Sequence, residues 1–314
     1  MGEVNLFIEL LCVLIFAQYI AGSQDKVGSD PQRNEVPMTY SQDLKDDRVT
    51  SLHQDPSIYM IVNRSIKTQQ SNGQGAYFVF SAGYEMNSES YYGIEVTTDV
   101  YGLSVDQEQN SGAMVGIGSK GDDVNAIVVG WHVYPKYYGD AYPHFFVRWM
   151  RDSHQQTGCY NLDCPGYVPE PGSSIVPGIS INPVSEPGGT KHIIIFKIFK
   201  DGAGDWLLHC GLDSEPYLIG RFPASLFTTL RTKADYMRVA GYAVSRTTHL
   251  APMGSGYLPT NPKAASFSNV QLIDQDGLTS KIPRDLPAIE NSPSMYSASP
   301  IDFEGKFTYG GPLE

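Results

Sequence analysis

From about Gly75 onward, short apolar or alternating runs recur between clusters of Gly, Pro, Asn and Asp: AYFVFSAG, YYGIEVTTDVYG, AMVGIG, NAIVVGWHVYP, HFFVRWM, SSIVPGISIN, HIIIFKIFK, DWLLHCG, PYLIGRFP, RVAGYAV and ASFSNVQLI. Short segments at near-regular spacing, with no helical periodicity between them, predict an all-β antiparallel sandwich or barrel. Ile193, Ile195 and Phe199 alternate with Ile194, Phe196 and Ile198, so this strand is expected to be buried on both faces near the middle of a sheet. One short helix is predicted at Pro223–Thr232, with Pro223 in its first turn and Leu226, Phe227 and Leu230 on one face. After Asp276 the chain turns polar and Pro-rich, so the tail ending in Phe307–Pro312 (FTYGGP) is expected to drape over the domain.

The stretch before Gly75 has a different texture. Gln24–Gln74 is polar, with several charges, few aromatics and no sustained period, so it reads as a pro-segment or leader ahead of a domain at 75–314. Met1–Ser23 reads as a signal peptide: Leu6–Ile20 is apolar apart from Glu9 and Gln18, and Ala21-Gly22-Ser23 supplies small residues for cleavage. That segment is short for a membrane span, and no second apolar stretch approaches the required length. The expectation is a secreted, extracellular protein with no membrane attachment after signal removal. Asn63-Arg64-Ser65 is a glycosylation sequon, which fits a surface position.

Composition narrows the partners. Charged residues make up 18% of the chain while Tyr contributes 20 residues, a balance suited to β-rich globular structure. The net charge of −12 falls to −10 when Glu3 and Glu9 leave with the signal. An acidic chain without a Lys/Arg cluster is a poor ligand for phosphate backbones, so nucleic acid is not expected as a partner. Of four cysteines, Cys12 belongs to the signal. Cys159 and Cys164 lie between turn residues in Gly158–Gly166 (GCYNLDCPG), and a local bridge is the economical pairing. Cys210 shares a strand face with Trp206 and Leu208 and reads as a buried thiol.

The common catalytic signatures are absent: no G-x-S-x-G, H-E-x-x-H, C-x-x-C or phosphate-binding loop occurs. Gly116–Gly121 (GIGSKG) reads as a hairpin turn. The seven histidines are scattered, so neither a metal site nor a cofactor is expected. Strand alternation gives one lead. Val128, Gly130 and His132 share a face, as do Arg238, Ala240, Tyr242 and Val244, and as do His144, Phe146, Arg148 and Met150. If those faces meet, His132, Arg148, Arg238 and Tyr242 line a cleft. Taken on pattern alone, they read as ordinary solvent-facing polar residues.

Several stretches resemble the neprosin domain, in the family's order. They are Gly130–Pro135 (GWHVYP), Tyr138–Asp140 (YGD), Arg148–Gly166 (RWMRDSHQQTGCYNLDCPG), Asp205–Leu208 (DWLL), Gly220–Pro223 (GRFP), Met253–Pro259 (MGSGYLP) and Tyr309–Pro312 (YGGP). The resemblance implies a sandwich of two antiparallel sheets, a secretory signal, a pro-region and a Cys159–Cys164 disulfide. It also implies kinship with acid-acting endopeptidases that cut at proline using two glutamates and a water. Such chemistry needs one carboxylate to take a proton from water and a second, protonated carboxyl to polarise the scissile carbonyl or supply the leaving amine.

Matched to the family's patterns, the first glutamate position is held by Val128 and the second by Tyr242, so this chain is expected to carry no catalytic residue at either. The two positions are expected to face each other across one groove. Glu95, Asp99, Asp122 and Asp123 are the acids considered as substitutes, and none falls at a matched position. The sequence therefore points to a catalytically impaired peptidase-like domain with a cleft containing Trp131, His132, Arg148 and Arg238. Tyr134, Tyr242 and Trp131 would offer aromatic faces to Pro-rich peptides or cell-wall polymers. The competing expectation is an active acid endopeptidase using a relocated carboxylate.

Overall fold

The computed structural model describes residues 69–71, 74–120, 124–151, 157–245 and 249–313. The expected signal peptide, most of the leader, the Asn63 sequon, Asp122 and Asp123 lie outside the described residues.

Among the described residues the chain forms two antiparallel sheets. The first runs β1 (Gln69–Ser71), β2 (Gln74–Tyr91), β12 (Ala234–Ser245), β4 (Gln109–Ser119), β5 (Asn125–Val133), β6 (Pro143–Arg151), β7 (Thr157–Tyr160), and β16 (Ala288–Glu290) also pairs with β2. The second runs β13 (Met253–Gly254), β18 (Phe307–Gly311), β14 (Ala265–Ile273), β3 (Gly93–Asp99), β9 (Ile193–Lys200), β10 (Trp206–Leu212), β11 (Tyr217–Phe222), β8 (Val168–Pro169), with β15 (Thr279–Lys281) on β14 and β17 (Ser297–Ala298) on β18. A one-turn helix, α1 (Pro135–Tyr138), joins β5 to β6. Strands β4, β5 and β6 are sequential hairpins. β12, which comes much later in the chain than β6, inserts between β2 and β4.

The sheets pack face to face, as the strand spacing predicts. Ile127, Val129 and Trp131 from β5 join Ile194, Phe196 and Ile198 from β9 in one buried cluster. Rings meet across the interface, Phe145 stacking on Phe196 with centroids 6.1 Å apart and Tyr84 meeting Phe307 edge-on at 4.9 Å. Each such side chain contributes roughly 1.5–3 kcal/mol by leaving water. Cys210 is a buried free thiol in this core, and burial pushes its ionisation up and out of the physiological range. Cys159 and Cys164 are bridged, with Cα atoms 5.8 Å apart.

Four expectations change. β9 is central, but only the Ile194, Phe196, Ile198 face is fully buried; Ile193, Ile195 and Lys197 are half-buried on the other. Gly116 and Gly118 lie inside β4 rather than in its turn. The predicted helix at Pro223–Thr232 is only a 3₁₀ turn, Ala224–Leu226. Its backbone is diverted, because Asn125 Oδ1 accepts from the amides of Thr228 (2.8 Å) and Thr229 (3.1 Å), and Trp206 Nε1 donates to Leu230 O at 2.9 Å. Those groups then have no reason to close helical rings. Finally, the tail does not merely drape: β18 lies between β13 and β14, with Phe307 and Tyr309 in the core.

Candidate functional site

The outer face of the first sheet carries the sequence-derived candidates, and the strand registers arrange them in rows. One row reads Ser81 on β2, Tyr242 on β12, Gly112 on β4, His132 on β5 and His144 on β6. Four residues further along the strands, another reads Glu85, Arg238, Gly116, Val128, Arg148 and, on β7, Tyr160. His132, Arg148, Arg238 and Tyr242 therefore do share one face. They are not solvent-facing as their pattern alone reads: His132 and Tyr242 are fully buried, Arg238 is 3% exposed, and Arg148 is half-buried.

Trp131 is a correction. It belongs to the opposite alternation of β5 and is sealed in the inter-sheet core, so it offers no surface to a ligand on this face.

Val128 and Tyr242 lie on the same face but do not oppose each other, so the expectation that they mark the two members of one acid pair is not met. Tyr242 is level with His132, whereas Val128 is level with Arg238. One intervening strand and four residues of register separate their Cα atoms by on the order of 15 Å. Both are also closed off, Val128 at 2% exposure and Tyr242 at 0%. Carboxyls at these two points would not share a proton or a water at hydrogen-bond distance.

What occupies the Tyr242 position is a phenol committed to an imidazole. Tyr242 and His132 stand on non-adjacent strands, and the residue between them is Gly112, where an added Cβ would lie 2.6 Å from His132 Cβ. The absent side chain lets the phenol cross β4, and Tyr242 OH sits 2.8 Å from His132 Nδ1. On the far side, His132 Nε2 is 2.6 Å from Tyr160 OH and 3.3 Å from Tyr138 OH. A neutral imidazole has one donor and one acceptor nitrogen, and hydroxyls can play either part, so the chain Tyr242–His132–Tyr160 is satisfied without any charge. Phe146 stacks on the His132 ring with centroids 4.5 Å apart. Burial, reinforced by the nearby His144, pushes the His132 ionisation down to about 3.

The turn over this network has a local cause. Pro135 starts α1, and Gly139, at φ 82°, ends it in the left-handed region with its N–H on Pro135 O. Asp140 then accepts from Tyr142 N (3.0 Å) and pairs with His144 Nε2 (2.9 Å). Burial raises the Asp140 ionisation, but the hydrogen bonds from His144 and Tyr142 outweigh it and hold the carboxyl below its ordinary value. The His144 ring lies flat against Tyr138, centroids 3.8 Å apart. Tyr134, Tyr137 and Tyr138 remain half-buried, Tyr134 stacking on Tyr137 at 6.0 Å.

Glu85 is the acid on this face that sequence reasoning missed. It is half-buried beside Arg238, whose NH1 is 3.6 Å from Glu85 Oε1, and it accepts from Tyr236 OH at 2.8 Å. The alternation of β2 places Ser81, Gly83 and Glu85 on one face, which is the signal that could have found it. Glu95 and Asp99 belong to the other sheet, where Glu95 pairs with Lys197 and Asp99 with Lys191. Among the described residues no His/Cys/Asp/Glu group has the geometry of a metal site.

The chain is similar to scytalido-glutamic peptidase, solved with a peptide-based transition-state analogue, at 11% identity and TM-score 0.42, over 74% of this chain and 98% of that one. It is also similar to SCP-B, a member of the eqolisin family of peptidases solved with the tripeptide Ala-Ile-His, at 11% identity and TM-score 0.40, over 73% of this chain and 96% of that one. The sequence model of the Neprosin family matches residues 107–312, a span that runs from β4 to β18 and covers well over half of the chain. By that match the chain belongs to the neprosin family.

Proposed function

We propose that this glutamic peptidase-like protein is secreted and catalytically impaired, and that it holds proline-containing peptides without cutting them. The observation that carries this reading is that, in the two residue rows of this face, Glu85 is the one carboxyl, with no second acid beside it to share a proton or a water. The segment Met1–Ser23 and the Cys159–Cys164 bridge support export to an oxidising compartment. The half-buried rings of Tyr134, Tyr137 and Tyr138 support the ligand class, since flat aromatic faces suit proline rings. The same rings would suit the sugars of cell-wall polymers, and binding tests should include both.

Calorimetric titration with a proline-rich peptide is expected to give measurable binding. The double variant Tyr134→Ala, Tyr137→Ala should weaken it about tenfold, at roughly 0.5–1.5 kcal/mol per ring face. Unchanged affinity in that variant would remove the aromatic turn from the binding surface. One observation favours the alternative, an active acid endopeptidase with a relocated carboxylate: Glu85 is a half-buried acid held by a phenol on the face in question.

A further inference from the structure

A single helical turn is far below the length at which helix forms unaided, so α1 cannot set the angle of its own rings. The orientation of Tyr137 and Tyr138 must come from contacts outside the turn. His144 supplies one, lying flat against Tyr138. Most of the others converge from Tyr160–Asp163, the end of β7 and the loop after it. Asn161 Nδ2 donates to Tyr138 OH at 3.1 Å, and Tyr160 OH lies 3.2 Å from the same hydroxyl. Tyr137 OH donates to Asp163 Oδ2 at 2.8 Å, and the Tyr160 ring meets the Tyr137 ring edge-on with centroids 5.0 Å apart.

Tyr160, Asn161 and Asp163 all lie between the two bridged cysteines. β7 is a short strand at the edge of the first sheet. Cys159 faces the core, so Tyr160 beside it faces outward and reaches His132. At Asn161 the backbone turns into the left-handed region, φ 47°, yet the residue still closes the ladder. Its N–H donates to Val147 O at 2.8 Å, and its Oδ1 accepts from Val147 N at 3.1 Å. That fixes the side-chain amide with Nδ2 toward Tyr138. Leu162 to Pro165 are exposed, so packing does little to hold the returning arm, and the bridge to buried Cys159 anchors it.

We propose that the Cys159–Cys164 loop is the positioning element of the aromatic turn: the bridge holds Tyr160, Asn161 and Asp163 in place, and their hydrogen bonds set the Tyr137 and Tyr138 rings at the angle a ligand meets. A loop this short gains little from chain entropy, so its bridge acts chiefly on local geometry. Asn161 and Asp163 are positioning residues, acting through the tyrosines. That a ligand meets those rings rests on the peptide-binding reading above; the positioning rests on the loop's own bonds.

The test follows the ring-proton resonances of labelled tyrosine in the full chain before and after a dithiol opens the bridge. The dithiol closes to its own disulfide as Cys159 and Cys164 become thiols. Cys210 is already a free thiol and is unaffected. The Tyr137 and Tyr138 rings should lose the shifts their neighbours impose, while the backbone amides of β4, β5 and β12 stay in place. Unmoved ring resonances overturn the proposal. Should the opened protein unfold, two variants of exposed Asp163 decide instead. Asp163→Ala should release the Tyr137 ring, and Asp163→Asn, which keeps an acceptor oxygen, should not; identical spectra overturn the proposal. Binding gives a second readout. Opening the bridge should weaken a proline-rich peptide about tenfold, the loss expected of Tyr134→Ala, Tyr137→Ala. In that variant it should change affinity by less than about twofold, since both changes act through the same rings. Additive losses would place the loop's effect elsewhere and overturn the proposal. If no peptide binds the native protein, the peptide-binding reading fails, and the ring resonances still decide the positioning.

Discussion

Acidifying the protein from pH 7 to pH 4 is expected to remove about 3 kcal/mol of folding stability through His132 alone. The folded protein holds this ring neutral down to about pH 3, whereas the unfolded chain takes up the proton near the ordinary value of 6.5. Below that value the unfolded state binds more protons, so stability falls by about 1.4 kcal/mol per pH unit until the folded ring itself titrates. The contribution is therefore complete above about pH 6.5 and lost on the way down. Denaturant unfolding across this range measures it, with His132→Gln as the comparison. The variant lacks the titrating ring, so its curve should be flatter by that slope, whatever its absolute stability. Parallel curves for the two proteins would show that His132 is not held neutral by its surroundings. The sign bears on function, because a network that weakens in acid is poorly matched to acid-driven peptide hydrolysis.

Placing glutamates at the two matched positions, Val128→Glu with Tyr242→Glu, should unfold the protein rather than awaken it. Each site is almost wholly buried, and each new carboxylate must either ionise in a low-dielectric setting or be held protonated. At Tyr242 the carboxylate would meet His132 and draw a proton onto it, making a buried ion pair where a neutral network stood. Breaking that network and leaving imperfectly matched charges costs on the order of 3–5 kcal/mol. A second buried acid at Val128 adds a comparable amount, so the sum reaches the whole stability of an ordinary domain. The separation of on the order of 15 Å also denies the new pair a shared proton. Urea midpoints of the two single variants and the double variant provide the measurement. Tyr242→Phe is the mild control, expected to cost about 1–3 kcal/mol by leaving His132 Nδ1 without its hydroxyl. A double variant that folds with an unchanged midpoint and cleaves peptides would contradict both the burial and the spacing arguments.

Local periodicity made much of this legible. The alternation of β5, β6 and β12 assigns His132, Arg148, Arg238 and Tyr242 to single strand faces, and the registers put those faces on one side of one sheet. What periodicity does not carry is lateral order. Nothing in the sequence says that β12 enters between β2 and β4, and only that insertion makes Tyr242 level with His132 and Arg238 level with Val128. Two short motifs matched in isolation thus suggested an opposed pair that the sheet does not make. Trp131 shows the converse: its alternation already put it with Ile127 and Val129 on the core side, and its place in the GWHVYP motif was the weaker guide. The predicted helix failed because Asn125, a hundred residues upstream, takes the amides of Thr228 and Thr229. Glu85 was legible from β2 alternation, but its meaning required Arg238 as a neighbour.

The most direct test of the central claim is to incubate the purified protein with a library of proline-containing peptides between about pH 3 and pH 7. New termini would be read by mass spectrometry, with Glu85→Gln run alongside. The account predicts peptides retained and recovered intact at every pH. Cleavage beside proline at low pH would contradict it, and loss of that cleavage in Glu85→Gln would identify the relocated acid.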